Sequence, residues 1–243
     1  MSPARARRGS LVAQIRAVGG IVIALVSTKG GSGKSTVAWN LAHEIAQRGA
    51  RVLLLCTDPQ RTLTDAAAVR TIPERVRVQH YPHLSLRRDF AHLRIGWDVV
   101  VIDALGRHDQ LTRAVVATAA GDEYGVILVP VPPSPPDVWA TRRDTGPVLR
   151  EAAEAAEAVG RTLVVRMLLT QYDPRESITA ATLEALTAAD IAPLTEAWLT
   201  RRTVYSHAIG VGQAVCEYEP RGAAASEVAA LATETIKLAL AGH

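Results

Sequence analysis

The sequence predicts a single doubly wound α/β domain, with a mostly parallel sheet flanked by helices and a short basic arm at its N-terminal side. Short runs that are apolar throughout alternate with longer helical patterns, as expected when each strand is buried on both faces. The chain has 243 residues, 48% hydrophobic and 21% charged, which is a globular composition. No linker long enough to separate two domains is visible. We therefore assign residues 1–20 to the arm and residues 21–243 to the domain.

Continuous apolar runs predict the strands, because a strand in a parallel sheet has no polar face. The predicted strands are Ile21–Ser27, Arg51–Cys56, Val76–His80, Trp97–Asp103, Tyr124–Val131 and Leu163–Thr170. Apolar residues at helical spacing predict the helices, as Val37, Leu41 and Ile45 do for the first. The predicted helices are Ser35–Arg48, Leu63–Ala68, Asp89–Leu93, Leu111–Ala120, Trp139–Val159, Ile178–Ala189 and Ala223–Ala241.

The basic arm accounts for the positive charge of the chain. Residues 1–20 contain four arginines and no acid, so the remainder is close to neutral although the total is +3. We interpret the arm as a disordered tail or, alternatively, as a short amphipathic helix through Leu11, Val12 and Ile15 that touches DNA or a partner. The near-neutral body means that any nucleic-acid binding requires a local basic patch.

Composition excludes several classes of protein. Cys56 and Cys216 are the only cysteines, too few for a disulfide scaffold or a cysteine-based zinc site. No apolar run reaches the roughly 18 residues of a membrane span. Lys29, Lys34 and Lys237 are the only lysines among many arginines. Two lysines five positions apart in such a chain point to a chemical requirement.

A glycine-rich loop lies between the first predicted strand and the first predicted helix. It meets the P-loop pattern G-x-x-x-x-G-K-[ST] except that Thr28 replaces the first glycine. Gly30, Gly31 and Gly33 let backbone N–H groups surround an anion. The N-terminus of the following helix favours negative charge at the same place. The loop therefore predicts phosphate binding, with Lys34 on the β- and γ-phosphates.

The two ends of this loop have different predicted tasks. Ser35 is placed to offer its hydroxyl to Mg²⁺. Lys29 cannot easily reach the γ-phosphate of its own nucleotide, but it is placed to reach a nucleotide held by a second subunit and to neutralise charge there. The nucleotide contacts expected from the loop are Lys29, Gly30, Gly31, Ser32, Gly33, Lys34, Ser35 and Thr36.

The segment KGGSGKST resembles the deviant Walker A motif K-G-G-x-G-K-[ST]-[ST] of the ParA, MinD, nitrogenase iron-protein and arsenite-pump ATPases. The resemblance implies a P-loop ATPase that uses ATP and Mg²⁺ and forms a homodimer on binding ATP. Lys29 is then the signature lysine that acts in trans, and Lys29, Lys34 and Asp58 form the catalytic set.

Asp58 and Cys56 follow the second strand, at the edge where an open α/β sheet holds its ligand. Taken alone, Asp58-Pro59 is typical of a turn. Partition ATPases carry D-x-D-P-Q at this place, and the resemblance makes Asp58 the acid linked to hydrolysis. The first family acid is Cys56 here, which puts its usual supporting role in doubt. We interpret Cys56 as a small core residue.

Asp103 ends the apolar run Val99–Ile102, which is the Walker B form. At the end of a strand beside the phosphate loop, it is expected to hold Mg²⁺ through a water molecule. The residues that follow keep a glycine, Gly106, which is similar to the family's switch region and is expected to sense the γ-phosphate.

Later segments extend the resemblance over nearly the whole chain, from about Ile21 onward. Val129–Trp139 resembles the family's strand and Pro-rich turn, and Arg201–Val215 resembles a C-terminal family segment. Both favour the plasmid-partition branch over MinD. The strand end that borders the adenine in the family implies contacts from Thr170 and Tyr172.

The first functional hypothesis is a ParA-type partition ATPase, cytoplasmic and nucleoid-associated. An ATP-bound dimer would bind DNA without sequence preference, and a centromere-binding ParB-type partner would stimulate hydrolysis. Phosphate contacts of this kind come from basic side chains. The candidates for them are Arg201, Arg202, Arg221 and Lys237.

Three alternative functions are less favoured by the sequence. A MinD-like membrane-cycling ATPase needs a cationic, bulky amphipathic helix, and the C-terminal helix has one cation, Lys237, so we expect no stable membrane association. A metallocluster ATPase needs cysteines that Cys56 and Cys216 do not supply. A nucleotide-dependent scaffold that hydrolyses ATP weakly stays open because of Cys56.

Overall fold

The computed structural model describes residues 11–107, 109–173, 175, 184–188 and 191–242. Its central feature is a six-stranded parallel sheet in the order β3-β2-β4-β1-β5-β6, which confirms the predicted fold class. The strands are β1 Ile21–Leu25, β2 Val52–Cys56, β3 Val76–His80, β4 Val99–Asp103, β5 Gly125–Val131 and β6 Val164–Leu169.

Two hydrophobic cores lie on opposite faces of this sheet because successive strand residues point to opposite sides. In β1, Ile21 and Ile23 enter one core, whereas Val22 and Ala24 enter the other. All five residues of β1 are buried. The continuous apolar runs therefore have the physical basis that the sequence suggests.

The helices cover both faces of the sheet. They are α1 (residues 11–17), α2 Lys34–Gln47, α3 Thr62–Ala68, α4 Leu86–Leu93, α5 Gln110–Ala120, α6 Pro135–Ala140, α7 Gly146–Glu157, α8 (residues 184–188), α9 Val204–Gly210, α10 Val215–Tyr218 and α11 Ala223–Ala241. Only residues 184–188 of the helix predicted over 178–189 lie among the described residues.

The long helix predicted over 139–159 is interrupted in the structure. A π-helical turn, Thr141–Thr145, separates α6 from α7. Pro147 stands in the first turn of α7 and has no backbone N–H to continue the regular ladder of hydrogen bonds. The apolar spacing alone did not reveal this break.

The segment from 201 to 215, to which the sequence analysis assigns no helix or strand, contains α9 and the first residue of α10. Both helices are short, and their apolar positions are too few for a periodic signal. A buried ion pair fixes this part of the chain: Arg70, two residues after α3, bonds Glu217 of α10 through two contacts of 2.6 and 2.9 Å. The Arg70 side chain also donates to the Gly212 carbonyl at 2.6 Å.

The described part of the arm is a helix that packs on the domain. Val12 and Ile15 of α1 are 3% and 0% exposed and belong to the core. Arg16 donates to the Gly49 carbonyl at 2.8 Å and to the Asp98 carboxylate at 3.0 Å. The apolar side of α1 therefore faces the protein's own core and is not available to DNA or a partner. Residues 1–10 lie outside the described part.

No helix among the described residues combines the length and the apolar character that crossing a membrane requires.

Replacing Ile15 by alanine tests the docking of α1. We expect the Ile15→Ala change to lower the free energy of unfolding by about 2–5 kcal/mol, since it removes a fully buried side chain. Chemical denaturation followed by circular dichroism measures the loss. Ala13→Ser, at an exposed position of the same helix, is the control and should unfold like the wild type. Equal stability of Ile15→Ala and wild type would show that α1 is not docked in solution.

Candidate nucleotide site

Three strand ends meet at one edge of the sheet and form the floor of a cavity. The register pairs Asp103 of β4 with Leu25 of β1 on one side and with Cys56 of β2 on the other. The loops that follow these strands therefore open into the same space. That cavity has a volume of about 530 Å³ and is lined by Gly30, Gly31, Gly33, Lys34, Ser35, Thr36, Asp58, Pro59, Gln60, Leu105, Gly106, Arg107 and Gln171.

The phosphate loop takes a backbone path that needs glycine. Gly31 and Gly33 have φ values of 77° and 89°, in the left-handed region where other residues are strained. Gly33 is the N-cap of α2, and the first turn of α2 contains no acid. The free N–H groups at this helix end therefore point toward the cavity with no acid in that turn to compete, as an anion site requires.

Lys34 is held inside the loop. Its side-chain ammonium donates to the Lys29 carbonyl at 3.0 Å and to the Ser32 hydroxyl at 3.4 Å. The residue is 7% exposed. Burial lowers the pKa of Lys34, while the negative charges of Asp103 and Asp58 act to raise it. The ammonium group is thus preplaced beside two acids.

The Asp103 carboxylate is buried at the end of β4. Within the described residues, neither of its oxygens accepts a hydrogen bond. Burial raises the pKa of Asp103 to about 7; Ser35 and the charge of Lys34 act against this rise, and Asp58 adds to it. Buried polar groups are normally satisfied, so these oxygens indicate a ligand. An orphaned carboxylate beside the Ser35 hydroxyl fits Mg²⁺, which prefers oxygen ligands and retains waters.

Asp58 lies at the rim of the same cavity. Its carboxylate accepts a hydrogen bond from the Gln60 N–H at 2.9 Å, and the side chain stays partly exposed. The neighbouring Cys56 is buried, and burial raises the pKa of its thiol to about 12. Cys56 is therefore a protonated core residue and not a nucleophile.

Thr57 links the loop after β2 to the loop after β4, and the sequence analysis did not identify it as a site residue. Its hydroxyl donates to the Asp103 carbonyl and accepts from the Leu105 N–H, both at 3.0 Å. The loop after β4 is therefore fixed by the loop after β2. In the sequence, Thr57 is recognisable only as a small polar residue between Cys56, which ends β2, and Asp58.

Two further side chains hold the phosphate loop from the β6 side. The Thr170 hydroxyl donates to the Ser32 carbonyl at 2.9 Å, and the Gln171 amide donates to the Gly31 carbonyl at 2.7 Å. Gln171 has a left-handed backbone, with φ of 55°, which turns its side chain to the loop. Thr170 was predicted to be near the nucleotide, whereas Gln171 was not.

Thr28, at the beginning of the loop, bonds the π-helical turn. Its hydroxyl lies 2.9 Å from that of Thr145, which is fully buried. Short π segments often mark functional sites. Here the turn provides an anchor for the phosphate loop.

Lys29 points away from its own cavity. Its ammonium forms an ion pair with Asp137 of α6, and its side chain is 42% exposed. Lys29 is not among the residues that line the cavity. The structure therefore separates the two lysines of the loop, with Lys34 inside and Lys29 outside.

A second cavity of about 350 Å³ adjoins the first, because Gly33, Thr36 and Gln171 line both. Arg201 and Arg202 lie on its wall. The other lining residues are Val37, Thr170, Leu199, Thr200, Thr203, Tyr205 and Ser206.

Glu227 of α11 fixes the segment that forms this wall. Its carboxylate accepts from the Thr200 N–H at 3.0 Å, from the Thr200 hydroxyl at 2.8 Å and from Arg202 at 2.7 Å. One acid on a long helix therefore orders the wall beside the phosphate loop.

The comparisons with known proteins agree with this geometry. The family model of the CobQ/CobB/MinD/ParA nucleotide binding domain matches residues 23–198. The chain belongs to this family. The resemblance to the ParA/MinD ATPases is thereby confirmed.

Relatives of this MinD/ParA-family chain have several named roles. It is 29% identical to the maintenance of carboxysome distribution protein A of Halothiobacillus neapolitanus over 217 residues, which cover 88% of this chain and 95% of the relative. It is 35% identical to the chromosome-partitioning ATPase Soj of Thermus thermophilus over 142 residues, 56% of this chain and 52% of that protein. The crystal structure of the cell division ATPase MinD from Pyrococcus furiosus covers 90% of this chain and 99% of its own, with a TM-score of 0.69 and 21% identity. That structural likeness shows the fold alone.

The predicted site residues of the MinD/ParA-family domain do not all line the two cavities. Tyr172 lines neither cavity; its ring lies 5.6 Å from that of Trp198. Arg221 and Lys237 are exposed, but Lys237 follows the start of α11 by about 20 Å along the helix. Lys237 is therefore distant from Arg221, which lies just before the N-cap of α11, while Arg201 and Arg202 share the wall of the second cavity.

Gly106 provides a test of the phosphate cavity. A Cβ atom at this position would lie 2.9 Å from the Lys34 ammonium nitrogen and 3.4 Å from the Lys29 carbonyl oxygen. We expect Gly106→Ala to displace the ammonium and to weaken ATP binding roughly tenfold, the worth of one charged hydrogen bond. Fluorescence titration with a labelled ATP analogue measures the affinity.

Gly210→Ala is the matched control, because a Cβ atom there has no neighbour within 4 Å. The control should bind ATP like the wild type. Unchanged affinity in Gly106→Ala would contradict the assignment of this cavity to the phosphates.

Proposed function

We propose that this protein is a ParA-type positioning ATPase that dimerises on ATP, binds DNA without sequence preference and hydrolyses ATP when a ParB-type partner stimulates it. The observation that carries the proposal is the separation of two lysines on one loop. Lys34 is buried beside the acids of the cavity, whereas Lys29 faces outward. A lysine that is presented outward next to a phosphate site suits action on a nucleotide held by a second copy.

The binding roles follow from the groups that surround the first cavity. Backbone N–H groups of Gly30, Gly31 and Gly33 enclose the phosphates, and Lys34 contacts the β- and γ-phosphates. The Ser35 hydroxyl and the Asp103 carboxylate would hold Mg²⁺, the latter through water. When bound, Mg²⁺ neutralises phosphate charge. The nucleoside extends from the phosphates into the second cavity.

The hydrolytic roles belong to groups at the rim. Asp58 is close enough to the cavity to orient a water molecule. Lys29 of a second copy neutralises the charge that develops on the transferred phosphoryl group. These two side chains act on the transition state, so they contribute to turnover more than to binding.

The relatives support a role in positioning a cargo. One named for carboxysome distribution matches over 95% of its length, and two from Thermus thermophilus are named as a chromosome-partitioning ATPase and a probable plasmid-partitioning protein. We favour DNA partition, with the cytoplasm and nucleoid as the place of action. Positioning of a protein body is the second candidate, because the relative matched over nearly its full length bears that name.

A MinD-like membrane cycle is less well supported. Three apolar residues of α11, Val228, Leu231 and Ile236, are buried in the core. Lys237 is the only cationic residue in this helix. The apolar side of this helix is occupied by the domain itself. Lys237 therefore has no neighbouring cations on α11 with which to attract anionic lipid.

Substitution of the loop residues separates binding from hydrolysis. Lys34→Ala should abolish ATP binding, because it removes the buried cation of the cavity. Lys29→Ala and Asp58→Ala should keep the affinity within about twofold and lower kcat by at least about 100-fold, as loss of a transition-state contact does. Titration with labelled ATP and a phosphate-release assay make the two measurements.

Arg75→Ala, at an exposed position outside both cavities, is the control and should match the wild type in both assays. Tight ATP binding by Lys34→Ala would contradict the phosphate loop. Normal turnover by both other variants would contradict the roles of Lys29 and Asp58 in hydrolysis.

A gel shift on non-specific DNA tests the proposed partner. With ATP, but not ADP, we expect retention that weakens steeply between low and high salt, because binding through phosphates releases counterions. Arg201→Ala with Arg202→Ala should reduce the retention at unchanged dimerisation.

The position of both arginines in the wall of the second cavity requires an affinity measurement on the same double variant. Lost DNA retention with normal ATP affinity supports a DNA contact. Loss of both assigns the pair to the nucleotide cavity, and retention equal to wild type removes the pair from the DNA surface. Arg75→Ala again serves as the control.

A further inference from the structure

The backbone carbonyl of Asp58 is held by an unusual number of donors. It accepts from the Arg61 N–H at 3.1 Å, from the His80 ring nitrogen Nε2 at 3.2 Å and from the Cys56 thiol at 3.8 Å. A carbonyl oxygen only accepts, so His80 carries its hydrogen on Nε2. Two side chains from neighbouring strands thus converge on the residue that is proposed to orient the water.

The sheet register brings these two side chains together. Cys56 is paired with His80 of β3 on one side and with Asp103 of β4 on the other. On the β4 side, the Thr57 hydroxyl bonds the Asp103 carbonyl at 3.0 Å. The Asp58 loop is therefore attached to both neighbouring strands: Thr57 joins it to β4, and His80 joins it to β3.

The loop needs this support because its turn is strained. Arg61, which closes the turn, has φ of 58°, a left-handed conformation that is strained for a residue other than glycine. The side chain of Asp58 stays partly exposed and bonds only the Gln60 N–H among the contacts described. Without a second fixed point, the carboxylate would move with the turn.

Cys56 suits the role of the additional donor. Its thiol is buried and protonated, as its raised pKa indicates. An aspartate at this position is an acceptor when ionised, so it offers no hydrogen to the Asp58 carbonyl. It would also place a third carboxylate between Asp58 and Asp103. Cysteine at the place of the first family acid thus favours the contact with the carbonyl.

We infer that His80, assisted by Cys56, is a positioning residue for ATP hydrolysis: it fixes the Asp58 carbonyl and thereby the Asp58 carboxylate at the rim of the phosphate cavity. The inference deepens the proposed function and rests on it. It assigns no contact between His80 and the nucleotide.

The experiment compares His80→Ala, His80→Gln and a control, His92→Ala, which lies at an exposed position on α4. In His80→Ala, kcat should fall roughly tenfold while KM for ATP stays within about twofold, because the loss concerns orientation and not binding. The side-chain amide of glutamine is a donor of similar reach, so His80→Gln should recover at least half of the wild-type kcat. His92→Ala should match the wild type.

Amide hydrogen exchange at Gln60 and Arg61 provides a readout that does not depend on turnover. Both N–H groups bond Asp58, so His80→Ala should accelerate their exchange and His80→Gln should restore the protection. Thermal unfolding of the same variants checks that the domain as a whole is intact.

Two results would overturn the inference. One is wild-type exchange at both amides in His80→Ala. The other is a raised KM with normal kcat, which would give His80 a part in binding. If the wild type itself fails to hydrolyse ATP, the proposed function fails, while the exchange data still decide whether His80 holds the Asp58 loop.

Discussion

The arrangement of the nucleotide site depends on one constraint: a buried ammonium group, that of Lys34, must lie beside two acids. Lys34 is removed from water at the end of a glycine loop, and burial of a charge is costly unless it is paired. Asp103 and Asp58 supply negative charge from the ends of two adjacent strands, β4 and β2. The parallel sheet satisfies this constraint because its register brings both carboxyl ends to one edge.

At the carboxyl ends of these strands, buried polar groups outnumber their hydrogen-bond partners among the described residues, and this favours the binding of a ligand. The carboxylate oxygens of Asp103 accept no hydrogen bond from the described residues, and burial shifts the pKa of this group toward neutrality. A fully satisfied network would gain little from Mg²⁺ and phosphate. A strained and undersatisfied one is stabilised when they bind, because the missing partners are supplied together.

The loop conformation is imposed from several sides. Thr145 contacts its beginning, and Thr170 and Gln171 bond its carbonyl groups. Gly106 approaches so closely that a methyl group would meet the Lys34 ammonium. Such contacts limit the movement of a glycine-rich segment, whose unrestrained chain entropy would otherwise oppose binding.

The sequence was informative wherever the determinant is local. Strands buried on both faces are apolar throughout, and the loop from Lys29 to Thr36 carries its chemistry in consecutive residues. Asp103 was found because a strand leads directly to it. These features depend on neighbours in the chain, so their pattern can be recognised without coordinates.

Contacts between distant segments could not be read in the same way. Thr57, Gln171 and His80 are ordinary polar residues until the register places them beside a loop. Arg201 and Arg202 resembled surface cations, but the wall of the second cavity and Glu227 determine their setting. The π-helical turn was not predicted, because the spacing of apolar residues gives no information about the backbone N–H that Pro147 lacks.

The ion pair between Lys29 and Asp137 bears on how the proposed dimer forms. The Lys29 side chain is 42% exposed and that of Asp137 is 14% exposed, so solvent reaches the pair from the lysine side and weakens it. Breaking the pair is therefore a small cost compared with the several kcal/mol that a lysine gains from phosphate charge in a site that excludes water. The same weak pair keeps the ammonium oriented outward beside α6 and away from its own cavity. In the proposed dimer, an intramolecular contact of this strength would favour the monomer only until a second nucleotide site is presented, so ATP in the partner copy, and not the ion pair itself, would control association.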